Sequence, residues 1–135
     1  MIHWYSMITI LLDSPVPLHD QLVSEFRGLI AQGKLKVGDE LPSVRQLAAD
    51  LGINLNTVAR AYRDLTDAGL LSSGRGRGTV VISTVEKTRG PQSESRQKLE
   101  NTLAGALADA KIAGLSLESI QAVFKKQTEL IWKNQ

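Results

Sequence analysis

The stretch that decides the fold is Leu47-Ala48-Ala49-Asp50-Leu51-Gly52-Ile53-Asn54-Leu55-Asn56-Thr57-Val58-Ala59-Arg60-Ala61-Tyr62-Arg63-Asp64-Leu65. Counting back to Val44, its apolar residues fall at Val44, Leu47, Ala48 and Leu51, the i, i+3, i+4, i+7 spacing of one buried helical face, with Ser43 placed to cap it. Gly52, Ile53 and Asn54 then interrupt the period. A second apolar set, Val58, Ala61, Tyr62 and Leu65, predicts another helix that Gly69 ends. Two short helices joined by a tight glycine turn make a helix-turn-helix, because the turn sets the second helix steeply enough to protrude into a major groove.

Outward from this unit, Leu18, Leu22, Phe26, Leu29 and Ile30 share the face of a preceding helix that ends at Gly33. On the other side, Leu70-Leu71-Ser72-Ser73 and Thr79-Val80-Val81-Ile82 are β-prone runs around Gly74-Arg75-Gly76-Arg77-Gly78, which reads as a β-hairpin. Residues 84–96 carry Gly90, Pro91 and several Ser and charged residues without an apolar period, and read as a linker. Beyond it, Leu99, Leu103, Ala106, Leu107 and Ala110 form one stripe, Gly114 breaks it, and Ser116 caps a second stripe of Leu117, Ile120, Phe124 and Ile131. The expected architecture is mainly α with a small β-hairpin wing. Residues 1–83 form a winged helix-turn-helix and residues 97–135 a two-helix dimerisation hairpin.

Composition narrows the function classes. The chain has 135 residues, 42% hydrophobic and 22% charged, as expected of a globular protein with one domain and an appendage. Its 16 Lys and Arg against 14 Asp and Glu leave +2, and residues 1–83 hold eight of each sign, so any basic face must be local. The absence of cysteine excludes a disulfide framework, a thiolate zinc site and a cysteine nucleophile. The longest apolar run, Met7 to Leu12, is broken by Thr9 and lacks a basic flank, so neither a signal peptide nor a membrane span is expected. A cytoplasmic protein follows.

The second helix of the unit supplies the readers. With Val58, Ala61, Tyr62 and Leu65 facing the core, Asn54, Leu55, Asn56, Thr57, Arg60 and Arg63 are left toward solvent or DNA. Asn pairs donor and acceptor with adenine, Arg presents a fork to guanine, Thr offers hydroxyl and methyl, and Leu55 can meet a thymine methyl. Ser43 and Arg45 start the preceding helix, where free N–H groups and the helix dipole favour a phosphate. Arg75, Gly76 and Arg77 make a slim cationic tip for the minor groove or backbone.

Ser43-Val44-Arg45-Gln46-Leu47-Ala48, Asn56-Thr57-Val58-Ala59-Arg60-Ala61-Tyr62, Gly69-Leu70-Leu71 and Gly74-Arg75-Gly76-Arg77-Gly78-Thr79 together resemble the winged-helix domain of GntR-family bacterial regulators. The likeness covers residues 8–83. Pro15-Val16-Pro17-Leu18-His19-Asp20-Gln21-Leu22 and the short tail resemble the YtrA subfamily, whose C-terminal piece dimerises. This resemblance implies a repressor, often of a transporter operon. Two positions depart from it: the subfamily commonly has proline where Leu55 stands and an aromatic where Val80 stands. Residues 1–6 precede the usual start, leaving Met1 or Met7 as initiator.

Plainer readings compete with these. Arg60 and Arg63 could be a solvated face paired with Asp64 and Asp67. The glycine-rich turn lacks the following helix and the Lys-Ser/Thr of a phosphate-binding loop. His3 and His19 have no third ligand at a matching spacing, so no metal and no cofactor are expected. An enzyme fails for lack of clustered catalytic groups. A winged helix that docks on protein is distinguishable by its weak salt dependence. For the tail, Leu99, Leu103, Leu107, Leu117, Ile120, Phe124 and Ile131 need a hydrophobic partner that two thin helices cannot supply, which favours a homodimer. The expected partners are therefore double-stranded DNA and a second copy. The sequence identifies no effector.

Overall fold

The computed structural model of the chain describes residues 4–74, 77–86 and 92–133. Elements follow in the order α1 (Trp4–Met7), α2 (Leu18–Ala31), α3 (Val44–Leu51), α4 (Leu55–Asp67), β1 (Leu71–Gly74), β2 (Arg77–Val81), α5 (Gln92–Ile112) and α6 (Leu117–Trp132). They fall into two compact units, residues 1–87 and 88–135.

In the first unit α2, α3 and α4 enclose one core. Leu22, Phe26, Leu47, Val58 and Ala61 have no measurable exposure, and Leu65 has almost none. These positions follow the helical period of the sequence, since residues three and four apart share a face. The Phe26 ring meets the edge of Tyr62 at 5.7 Å and 78°. Two β-branched residues of the hairpin close the base differently: Val81 is buried and Val80 half-buried. Ile8 also enters this core, with Met7 and Ile10 packed against it, so the segment before α2 belongs to the domain. Gln21 holds that segment in place. Its Oε1 accepts from the Leu11 N–H at 2.8 Å, and its Nε2 donates to the Leu11 and Val16 carbonyls at 2.9 and 2.8 Å.

The turn between α3 and α4 is closed by Gly52, which adopts φ 67° and ψ 35°. This left-handed geometry is open to glycine at no Cβ penalty. It lets the Ile53 N–H reach back to the Ala48 carbonyl at 3.1 Å. Three residues thus reverse the chain while satisfying the end of α3.

β1 and β2 pair antiparallel, Leu71 opposite Val81 and Ser73 opposite Thr79, with an irregularity between Ser73 and Gly74. The loop before α3 adds a third line of pairing that the hairpin reading does not contain. Glu40 bridges Val80, the Leu41 N–H donates to the Thr79 carbonyl at 2.8 Å, and Val81 N–H donates to the Asp39 carbonyl at 2.9 Å. The wing is therefore rooted in the same loop that leads into α3. Leu35 and Leu41, at 1% and 3% exposure, pin that loop to the core.

The second unit is a pair of helices, α5 and α6, in which no described side chain is buried. α5 begins at Gln92, so residues 92–96, read as linker from composition, are helical. The stripe that marks the helix starts only at Leu99. Its first turns carry polar residues joined at i, i+4, Arg96 to Glu100 and Gln97 to Asn101, which support a helix without an apolar face. Ser116 caps α6 by accepting from the Ser119 N–H at 3.1 Å.

Candidate nucleic-acid interface

The start of α3 leaves hydrogen-bond donors free. The Ser43 Oγ accepts from the Gln46 N–H at 3.1 Å, so its own hydroxyl hydrogen remains available as a donor. Arg45 lies two residues on, exposed, and enters none of the described ion pairs. A hydroxyl donor, the free N–H groups of the helix N-terminus and an exposed arginine thus lie within the first turn of α3.

α4 presents two opposed faces. Val58, Ala61, Tyr62 and Leu65 are buried, whereas Asn56, Arg60 and Arg63, at i, i+4 and i+7, share the exposed side. Neither Arg60 nor Arg63 takes part in a described ion pair, contrary to the solvated-pair reading. Asp64 is already engaged, because its Oδ2 meets Nε2 of His19 on α2 at 2.5 Å. Asn54 is the N-cap of α4, its Oδ1 accepting from the Asn56 N–H at 2.7 Å, which leaves its amide N–H₂ and the second lone pair of Oδ1 for further contacts. Leu55, 42% exposed, begins the helix at the tip of the unit, where proline is equally compatible because the first N–H has no helical partner. Thr57 is half-buried beside it.

A hydrogen bond locks α3 to α4. The Tyr62 hydroxyl donates to the Pro42 carbonyl at 2.7 Å, one residue before the Ser43 cap. Burial pushes the Tyr62 phenol well above its ordinary range, since the anion would lose its water. The neutral donor is therefore the form that persists, and it ties the start of α3 to α4.

Of the wing residues, Arg75 and Gly76 and the Arg77 side chain lie outside the described part of the chain, while the Arg77 backbone starts β2. A Cβ on Gly78 would meet only the carboxylate end of the exposed Glu40 side chain, which can turn aside. Among the described residues no cluster of three His, Cys, Asp or Glu could hold a metal ion, and no helix is long and apolar enough to cross a membrane.

In the second unit, Leu103, Leu107, Ile120, Phe124 and Ile131 line one apolar groove of about 360 Å³ between α5 and α6. Leu99 and Leu117, at 57% and 69% exposure, lie outside it. Val123 and Trp132 also line the groove, a contribution that the sequence stripes did not include. Both sit beside stripe residues, and the moderate amphipathicity of α6 widens its apolar face to them.

Residues 18–81 match the family described as bacterial regulatory proteins, gntR family. The chain is 34% identical over 115 residues to the HTH-type transcriptional repressor YtrA of Bacillus subtilis, covering 84% of this chain and 85% of that protein. Among solved structures it resembles YtrA from Sulfolobus acidocaldarius, a GntR-family transcription factor, at 39% identity and a TM-score of 0.59, over 76% of this chain and 98% of the other. The AraR DNA-binding domain, solved in complex with the operator ORX1, matches at 30% identity and a TM-score of 0.51, over 56% of this chain and 96% of that one. That domain meets operator DNA with the same winged fold. By these likenesses the chain is a DNA-binding transcriptional regulator, and it belongs to the GntR family, with the YtrA-type factors.

Proposed function

We propose that the protein is a cytoplasmic repressor that binds an inverted-repeat operator as a homodimer. The observation that carries this reading is the exposed cationic and amide face of α4, Asn56, Arg60 and Arg63, which enters none of the described ion pairs, on a chain with a second unit that buries none of its described apolar side chains. In this reading Asn56, Thr57 and Arg60 meet base edges, with Asn54 and Leu55 at the entry of the helix. Ser43 and Arg45 hold a phosphate on one flank. Arg75, Gly76 and Arg77 approach the backbone or minor groove on the other.

The homodimer follows from the groove between α5 and α6. Leu103, Leu107, Ile120, Phe124 and Ile131 face it, and Leu99 and Leu117 extend the apolar surface beyond it. Exposed apolar area of this extent on a small helical hairpin is stabilised by a second copy, whose identical groove is complementary by two-fold symmetry. Two recognition helices related by such an axis demand two related half-sites. Repression is supported by the repressor role in the name of the similar B. subtilis protein.

Selection of binding sites from random duplexes, with sedimentation of the protein at micromolar concentration, tests the whole. The expected result is a dimer and an inverted repeat. A monomer, or a single asymmetric half-site as the tightest ligand, would sink it. A flat salt dependence would instead favour a winged helix that docks on protein, because phosphate contacts release counterions.

A further inference from the structure

We propose that His19 is a positioning residue for DNA recognition, which acts by holding the Asp64 carboxylate away from Arg60. The proposal rests on the reading that Arg60 contacts DNA.

Arg60 and Asp64 stand four residues apart on α4, the spacing at which opposite charges on a helix meet. Left to the helix alone, the carboxylate would pair with the guanidinium. It would also bring a negative charge to the edge of the DNA-facing surface. Neither occurs. Asp64 Oδ2 lies 2.5 Å from Nε2 of His19, and no described ion pair takes Arg60. The imidazole is itself fixed on its other side, Nδ1 lying 3.0 Å from Asp20 Oδ1. Its side chain is only 14% exposed, against 47% for Asp64, so the histidine is the anchored member and the aspartate the one that would swing.

The position of His19 in the fold explains why it can do this. It lies in the first turn of α2, which packs along α4 on the flank next to the DNA-facing side. Asp64 projects from that flank, about 40° around the helix from Arg60. A short, rigid ring reaches it where a longer flexible side chain would lose more rotamer freedom.

The test uses two variants of the full chain that cut the same contact from opposite ends. His19→Ala releases a carboxylate beside Arg60, whereas Asp64→Asn abolishes the carboxylate. If the contact only braced α2 against α4, both would weaken operator binding alike. The sequestering role instead predicts that His19→Ala lowers operator affinity at least about threefold at low salt, while Asp64→Asn binds as tightly as the parent or tighter. The double variant recovers parental affinity although the brace stays broken. Arg60→Ala separates this from the underlying reading: it must weaken operator binding by itself, and in its presence the effect of His19→Ala must shrink. Circular dichroism confirms that each variant is folded, and Asp64→Asn alone decides the matter if His19→Ala is not. The proposal is overturned if Asp64→Asn weakens binding as much as His19→Ala, or if the double variant stays weak. An Arg60→Ala variant that binds like the parent would overturn the reading of Arg60 instead.

Discussion

Replacing Tyr62 by phenylalanine removes one oxygen and tests how the two halves of the helix-turn-helix are held. The phenol is 5% exposed and donates to the Pro42 carbonyl at 2.7 Å. Phenylalanine keeps the edge contact with Phe26 but leaves that carbonyl without its partner, a loss of about 1–2 kcal/mol near neutral pH. The same hydroxyl carries a pH signature. Because burial raises the folded-state pKa, the unfolded chain loses the proton first, above about pH 10. The tyrosine's stabilisation is thus complete below that pH and falls as pH rises, by about 1.4 kcal/mol per unit, until the folded state also ionises. The advantage of the parent over Tyr62→Phe should therefore vanish near about pH 11 and reverse beyond it. Urea unfolding of both proteins followed by circular dichroism from pH 7 to 11.5 measures the difference, in which the titration of groups common to both cancels. A difference that stays constant across pH 9–11 would refute the reasoning.

Three further outcomes are expected. Arg45→Ala should weaken binding to operator and random duplex alike, whereas Asn56→Ala and Arg60→Ala should also lose about 1–3 kcal/mol of discrimination per base contact, read by competition anisotropy; equal loss on both duplexes for all three would contradict the assignment. Gly52→Ala should destabilise the domain by about 1–2 kcal/mol, because a Cβ there meets no atom within 4 Å and the whole cost is the left-handed backbone; an unchanged melting temperature would count against that turn geometry. A chain ending at Lys87 should remain folded on its own core, sediment as a monomer and lose on the order of 10²–10⁴ in operator affinity. Undiminished binding by that fragment would show that the second unit contributes nothing to recognition.

The parts legible from the sequence are those that depend on neighbours in the chain. The stripes Leu22-Phe26-Leu29, Val44-Leu47-Ala48-Leu51 and Val58-Ala61-Tyr62-Leu65 name their own buried faces, because a helix places residues three and four apart together wherever it sits. Ser43 and Ser116 act as caps where their types and positions indicated, whereas Asn54, read as facing solvent or DNA, also caps α4 through its side-chain oxygen. The tail stripes likewise mark apolar faces without naming what covers them. By contrast, the start of α5 was hidden because polar i, i+4 pairs extend the helix beyond its stripe.

Local periodicity thus determined that the chain has a helix-turn-helix, a glycine-rich hairpin after it and two tail helices that carry apolar stripes. Only the tertiary structure decided what holds them in register. The strand-like pairing of Asp39 to Leu41 with β2, the Tyr62 bond to Pro42, the Gln21 clamp on Leu11 and the His19 contact with Asp64 join residues 10 to 45 positions apart, in segments of unrelated period. Such contacts leave no periodic trace, because each depends on two surfaces that meet only after the chain has closed its loops, and it is these contacts that join α4 to the rest of its domain.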